Sequence, residues 1–222
     1  MPDQPDSPLM VPPALRAAIA RDLAPVRPLP RPVVRAAWLA PLGLLLLVAA
    51  TAFFGLRPDA VRLGWGLTWG ASAAEMTLGL VLVGASLREA IPGTTLSRRS
   101  LGFAYAGALA SVVVVTLITW RTSSVYQILP GREWFIGRIC FAGTLASAMP
   151  PLLVSAWLVA RAFPLRPAVA GLLYGIAAGL MADAGWRLFC HFSHPAHVFS
   201  AHLLAVAAAG LIGSQVARLL AR

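Results

Sequence analysis

The sequence predicts an all-α membrane protein in which six transmembrane helices form a bundle behind a short N-terminal tail. Hydrophobic residues make up 59% of the 222 residues and charged residues only 12%, which is far from the balance of a soluble domain. The mean hydropathy is +0.77. From residue 36 onward the apolar residues fall into blocks of roughly 20, the length that a helix needs to cross a bilayer. This pattern excludes an ordinary water-soluble fold.

The N-terminal part of the chain differs in composition from the rest. Residues 1–35 are polar, hold nine of the 18 prolines, and contain no apolar run long enough for a signal peptide or a spanning helix. We therefore divide the chain into a cytoplasmic tail, 1–35, and a transmembrane domain, 36–222.

The tail is predicted to contain a short amphipathic helix followed by a stiff tether. Leu15, Ile19 and Leu23 fall on one helical stripe after a proline pair, and the prolines of 25–32 impose an extended backbone. Such a helix either lies on the lipid surface or docks its stripe into a groove on a cytoplasmic partner. If the helix docks on a partner, these three residues are the predicted apolar anchors. Arg21, Arg27 and Arg31 are predicted to contact an acidic surface on that partner.

Six spans follow the tail in order, separated by loops that collect arginine, proline and histidine, which hydrocarbon rejects. The loops are too short to hold a soluble domain. The predicted spans cover residues 36–56, 64–87, 101–120, 139–160, 168–188 and 198–217.

The arginines set the orientation of the bundle. All 18 basic residues are arginines, and an even number of spans leaves both termini on one side, which then holds 12 of them against six on the other side. Because basic residues accumulate on the cytoplasmic side, both termini are predicted to be cytoplasmic, in a bacterial inner membrane. The net charge of +10 is thereby attributed to helix ends rather than to direct binding of nucleic acid.

Two rows of glycine predict close contacts between helices. Gly171, Gly175 and Gly179 recur at four-residue spacing in the fifth span, and Gly66 and Gly70 do so in the second. Small residues at this spacing leave a nearly flat helix face that another helix can approach.

Three ionisable side chains are predicted within the membrane. Glu75 lies near the middle of the second span, where it is either a proton or cation site or a packing residue that hydrogen-bonds a nearby hydroxyl. Asp183 and Arg187 are four residues apart in the fifth span and are predicted to pair on one helix face. The hydroxyl candidates for Glu75 are Thr68, Ser72 and Thr77.

The densest polar cluster runs from Cys190 to His202 and contains all four histidines. The second cysteine, Cys140, falls on the same outer side, and thiolate and imidazole suit zinc or copper. The candidate ligands of a transient sensor site are Cys140, Cys190, His197 and His202, with no resident cofactor required. A disulfide between the two cysteines is an alternative. A third possibility is that Cys140 is a small buried apolar residue and the histidines only make the loop soluble.

These parts resemble the NrsF-like family of bacterial integral-membrane anti-sigma factors. The matching stretches are 21–29, 88–93 and 165–171, together with Cys190, Pro195, His197 and His202. The resemblance implies six spans and a cytoplasmic segment that holds an extracytoplasmic-function sigma factor at the inner membrane. It also implies that the residues resembling the family's two outer-face cysteines, Cys140 and Cys190, sense metal or oxidative stress. His191 and His194 are additions to the family pattern.

The leading interpretation is therefore a signalling protein rather than an enzyme, with a sigma factor and membrane lipid as its partners. A transporter or channel for a small ion or metabolite is the main alternative, supported by Glu75 and the glycine-rich helices. A membrane thiol oxidoreductase is disfavoured because the two cysteines form no C-x-x-C pair.

Overall fold

A computed structural model describes residues 12–22, 28–123 and 131–221 of the chain. Every regular element in these ranges is helical. The chain falls into two compact units, one that ends at Pro30 and one that begins at Arg31. The first unit contains the tail helix and the second contains the bundle.

Within the described residues, six helices are long and apolar enough to cross a membrane, which confirms the predicted all-α, six-span fold. Span 4 begins at Glu133, whereas the hydropathy pattern predicted a start at residue 139. Helices extend beyond the apolar blocks because their ends can continue in water, where charged side chains cost little. The helices, named span 1 to span 6, are Pro32–Phe54, Ala60–Glu89, Arg98–Thr122, Glu133–Ala160, Pro167–Phe189 and Pro195–Leu220.

The tail helix, α1, covers Pro13–Asp22 and starts at a proline, which fits the first helical turn because that position needs no N–H donor. Leu15 and Ile19 are 52% and 49% exposed, so the predicted apolar stripe lies open. Arg31 is exposed and extended, with φ −52° and ψ 145°, immediately before span 1. The other two tail candidates, Leu23 and Arg27, lie outside the described residues.

Span 1 consists of two helices, Pro32–Ala37 and Ala40–Phe54. The break between them follows from Pro41, which cannot donate a backbone hydrogen bond and whose ring crowds the carbonyl four residues earlier. Span 1 ends at Phe54 and is followed by Gly55, whose φ of 79° is readily adopted only by glycine.

Spans 2 and 6 each contain a π-helical segment, in which backbone hydrogen bonds join residues five apart. In span 2 the segment is Gly66–Gly70, between Ala60–Trp65 and Ala71–Glu89. In span 6 it is Val198–Leu203, between Pro195–His197 and Leu204–Leu220. Both segments lie close to the end of the bundle that carries Cys190, referred to here as the Cys190 end.

Span 5 is the centre of the bundle. In its most apolar stretch 78% of the residues are buried, against 50% in span 2 and 11% in span 1. Its glycines pack against span 6, with Gly171 facing Gly213 and Gly175 facing Ala209. A Cβ atom added at Gly179 would lie 2.7 Å from the Cα of Val206, closer than real Cβ atoms come. The predicted close packing of this glycine row is confirmed.

The same prediction was wrong for the glycine row of span 2. A Cβ added at Gly66 would meet open space, and one at Gly70 would have only the carbonyl of Trp65, in its own span, within 4 Å. The π-helical winding of this segment changes the register of small residues, so four-residue spacing no longer marks one flat face.

Valine at Gly175 is therefore expected to destabilise the bundle, because its Cβ would collide with the backbone of Ala209 and Gly210. Overpacking of this kind costs about 1–3 kcal/mol. The measurement is the unfolding midpoint of Gly175→Val in detergent, with Gly66→Val as a matched control in open space. Equal midpoints for the two variants would contradict the close packing of spans 5 and 6.

Arg35, which the composition places in the tail, is part of span 1 and is only 1% exposed. Its guanidinium donates a hydrogen bond to the carbonyl of Leu158, one of the last carbonyls of span 4, which lacks a partner within the helix. At the same end Arg166 donates to the buried Glu89 at 2.5 Å. The first contact joins span 1 to span 4, and the second joins the start of span 5 to span 2, both at the end opposite Cys190.

Candidate functional site

The segment that links spans 5 and 6 lies against the bundle rather than extending from it. Arg57, in the loop before span 2, donates from Nη2 to the hydroxyl of Ser193 at 2.7 Å, and its backbone N–H donates to the carbonyl of Leu188 at 2.8 Å. Asp59 accepts from Arg57 Nε at 2.6 Å, which fixes the guanidinium. Arg57 thus holds the chain both before Cys190, at Leu188, and after it, at Ser193.

All four predicted metal ligands meet at this end of the bundle. Cys140 of span 4, Cys190 at the end of span 5, and His197 and His202 of span 6 are buried, and their ligand atoms lie within 4.8 Å of one another. The Sγ of Cys190 is 3.6 Å from His197 Nε2. Bonds of about 2.0–2.3 Å from a tetrahedral zinc place ligand atoms about 3.3–3.8 Å apart. The cluster therefore has both the donor set and nearly the spacing that such an ion requires.

The π-helical segment of span 6 explains why two histidines five residues apart share one site. In an α-helix with 3.6 residues per turn, His197 and His202 would project in different directions. Hydrogen bonding between residues five apart brings them to the same side, and their ring centroids are 5.5 Å apart. Single π-turns inside helices occur frequently at functional sites.

Cys190 lies in the loop after span 5, where its environment favours the thiolate. The adjacent Cys140 thiol, followed by the His197 imidazole, lowers the pKa of Cys190 well below its ordinary value, although burial opposes this. The thiolate is the form of cysteine that binds metals and reacts with oxidants. Both cysteines are free in the structure.

His202 also has a carboxylate partner. Its Nδ1 lies 2.6 Å from Oδ1 of Asp183, and both side chains are buried. Its other ring nitrogen, Nε2, is buried with no hydrogen-bond partner in the described part of the chain. A cavity of about 20 Å³ lies beside this histidine and is also lined by Cys190 and Arg187. A volume of this size holds a single water-sized occupant.

The intramembrane polar residues form one network with this site, and Glu75 requires a correction. Arg187 Nε donates to Glu75 Oε2 at 2.8 Å, so Glu75 is paired across to span 5 and not with a hydroxyl of its own span. Thr68 and Thr77 donate instead to backbone carbonyls. The hydroxyls were chosen because they are close to Glu75 in the sequence. The true partner is on span 5, and the pairing of spans 2 and 5 is visible only in three dimensions.

The predicted ion pair between Asp183 and Arg187 is present. The distance from Arg187 Nε to Asp183 Oδ2 is 3.9 Å, which is longer than the 2.8 Å between Arg187 and Glu75. Arg187 thus lies between two carboxylates, and Asp183 lies between Arg187 and His202. The sequence placed these residues in the membrane but gave no indication that they adjoin the cysteines.

The two remaining histidines lie outside the four-residue cluster. His194 is exposed, and its Nδ1 accepts a hydrogen bond from the backbone N–H of Ala196 at 3.2 Å, which caps the start of span 6. The ring of His191 lies against Phe192, with centroids 4.3 Å apart.

Comparison with known proteins identifies the family of the chain. No curated protein and no solved structure matches it. The sequence model of one protein family, described as "Negative regulator of sigma F" (NrsF), matches residues 19–222. The matched range begins within α1 and includes all six spans and the four clustered residues. The chain therefore belongs to the NrsF family of negative regulators of sigma F.

Proposed function

We propose that this protein is a membrane-bound anti-sigma factor that binds an extracytoplasmic-function sigma factor through its N-terminal tail and releases it when a metal ion binds the Cys–His cluster. Family membership supports a sigma factor as the partner. The observation that carries the sensing part is the convergence of four buried metal-ligand atoms within 4.8 Å. In this proposal the protein is not an enzyme, needs no resident cofactor and does not contact nucleic acid directly.

The tail supplies the features of a partner-binding segment. Leu15 and Ile19 are exposed on α1, and Arg21 lies in its last turn. An amphipathic helix of this kind binds by placing its apolar stripe in a groove. Leu23 extends the stripe, while Arg27 and Arg31 add positive charge for an acidic surface on the sigma factor.

The orientation proposed for the bundle puts the tail and the cluster on opposite sides of the membrane. The arginine asymmetry supports cytoplasmic termini in the bacterial inner membrane, with lipid around the exposed apolar faces of the spans. The Cys190 end then faces outward, where a metal ion from outside the cytoplasm arrives first. The tail remains on the side where sigma factors act.

The chemistry of the cluster favours a borderline or soft ion such as zinc or copper. Two thiolates and two imidazoles match the ligand preferences of both metals. Coordination would join span 4 to spans 5 and 6, and an ion that binds one arrangement of these helices better shifts the population toward it. Reversing a 1:99 population needs a differential of about 5.5 kcal/mol, which is within the binding free energy of structural zinc sites.

The ion pair between Glu75 and Arg187 argues against the transporter alternative. A carboxylate that carries protons or cations must exchange partners, whereas Glu75 is buried and ion-paired with Arg187 at 2.8 Å. Separating such a buried pair leaves an uncompensated charge and is costly, which favours a packing role for Glu75.

Alanine at Leu15 or Ile19 is expected to weaken binding of the sigma factor by about tenfold or more, since burying one such side chain contributes about 1.5–3 kcal/mol. The measurement uses full-length protein in lipid nanodiscs and the sigma factor that copurifies with it from native membranes, identified by mass spectrometry. Ala17→Ser, on the opposite face of α1, is the matched control and should bind normally.

Undiminished sigma-factor binding by a chain that lacks residues 1–31 would contradict the role of the tail. It would leave the rest of the cytoplasmic surface as the binding element.

A further inference from the structure

We propose that Asp183 is a positioning residue for the metal cluster, which holds His202 with Nε2 available as a ligand; this inference rests on the proposed function. Asp183 offers no ligand atom to the four-residue cluster. It acts through His202, which it contacts at 2.6 Å between Oδ1 and Nδ1.

The contact with Asp183 determines which ring nitrogen of His202 carries the proton. An ionised carboxylate only accepts hydrogen bonds, so the contact with Asp183 requires the proton on Nδ1. A neutral imidazole then carries its free lone pair on Nε2, the nitrogen that would face a metal. Metal-binding histidines generally donate their other N–H in this way, which fixes both the tautomer and the ring orientation.

The other ring nitrogen, Nε2, is the one left for a ligand. Nε2 of His202 is buried and has no hydrogen-bond partner among the described residues, although buried polar atoms are nearly always satisfied. It lies with the ligand atoms of both cysteines and His197, all within 4.8 Å of one another. A buried ring nitrogen without a partner, within 4.8 Å of two sulfur atoms and an imidazole, indicates a site built for a shared ion.

Arg187 also holds the Asp183 carboxylate in position. Arg187 lies 3.9 Å from its Oδ2, so the second oxygen has a positive neighbour while the first is engaged with His202. Arg187 is held in turn by Glu75 at 2.8 Å. This chain of contacts fixes the position of the Asp183 carboxylate, as the acceptor for Nδ1–H must be fixed.

The test measures binding of Co²⁺ alone by full-length protein in detergent under reducing conditions. Tetrahedral Co²⁺ bound by thiolates gives visible ligand-field absorption and near-ultraviolet charge-transfer absorption, which report the ligands directly. Asp183→Ala is expected to weaken Co²⁺ binding by about 10–100-fold, the usual effect of removing such a partner. The charge-transfer absorption at saturation should persist because both thiolates remain.

Two further variants separate positioning from general stability. Tyr174→Phe removes another buried hydrogen bond of span 5, to the carbonyl of Gly213 at 2.9 Å, and should bind Co²⁺ like the wild type. Asp183→Asn retains an oxygen that can accept from Nδ1–H, so it should recover much of the affinity lost in Asp183→Ala.

Wild-type affinity in Asp183→Ala would overturn the positioning role while leaving the metal site of the proposed function intact. An equal loss of affinity in Tyr174→Phe would also overturn it, because a general loss of stability would then explain the effect. Failure of the wild type to bind Co²⁺ would overturn both this inference and the metal-sensing part of the proposed function.

Discussion

Serine at either Cys140 or Cys190 is expected to abolish metal-induced expression of the sigma factor's target genes. A serine hydroxyl does not ionise at neutral pH and is a poor ligand for zinc or copper, so one substitution removes a ligand from a cluster of four. Either single variant should therefore be as uninducible as the double variant. The measurement is reporter output from a target promoter with and without added metal.

The matched control is His194→Ala, because His194 is exposed and lies outside the four-residue cluster. This variant should respond to metal like the wild type. Normal metal induction in the double cysteine variant would contradict the sensor and leave both cysteines as packing residues. Induction by oxidant alone, with a disulfide detected by mass spectrometry, would contradict the metal proposal in favour of thiol oxidation.

Methionine at Arg187 is expected to destabilise the bundle by about 3–5 kcal/mol, the cost of breaking a buried ion pair and leaving its partner unpaired. Arg187 contacts two carboxylates on two spans, and Glu75 is only 5% exposed. The measurement is unfolding in mixed micelles as the fraction of dodecyl sulfate rises, followed by circular dichroism.

A double-mutant cycle isolates the pair itself. Glu75→Gln together with Arg187→Met should cost less than the sum of the two single changes, because the double variant leaves no unpaired charge at that contact. Arg62→Met, at an exposed arginine of span 2, is the control and should change stability by less than about 0.5 kcal/mol. Additive single effects would contradict the ion pair between spans 2 and 5.

The six spans could be predicted from the sequence because hydrocarbon imposes a simple requirement of about 20 apolar residues in a row. The close packing at Gly171, Gly175 and Gly179 could also be predicted, since a straight α-helix places every fourth residue on nearly the same face. The cysteine and histidine candidates followed from the ligand chemistry of thiolate and imidazole. Their convergence required the structure.

Other features depended on information that local patterns do not contain. The π-helical segments changed the helical register, which made Gly66 and Gly70 misleading and brought His197 next to His202. The pairing of Glu75 with Arg187 depends on which spans are neighbours, and residues more than 100 positions apart give no sequence signal of that contact. Asp183 was recognised as one half of an ion pair, but its contact with His202 was not foreseen.

Binding of a metal at the Cys–His cluster is expected to release the sigma factor from the tail. The most direct test titrates Zn²⁺ into full-length protein in lipid nanodiscs with fluorescently labelled sigma factor bound, and follows metal occupancy and fluorescence anisotropy together. Anisotropy is expected to fall to the value of free sigma factor as one ion binds per chain, and Cys190→Ser should abolish both changes. An ion bound at the cluster while the sigma factor stays bound at unchanged affinity would contradict release by metal.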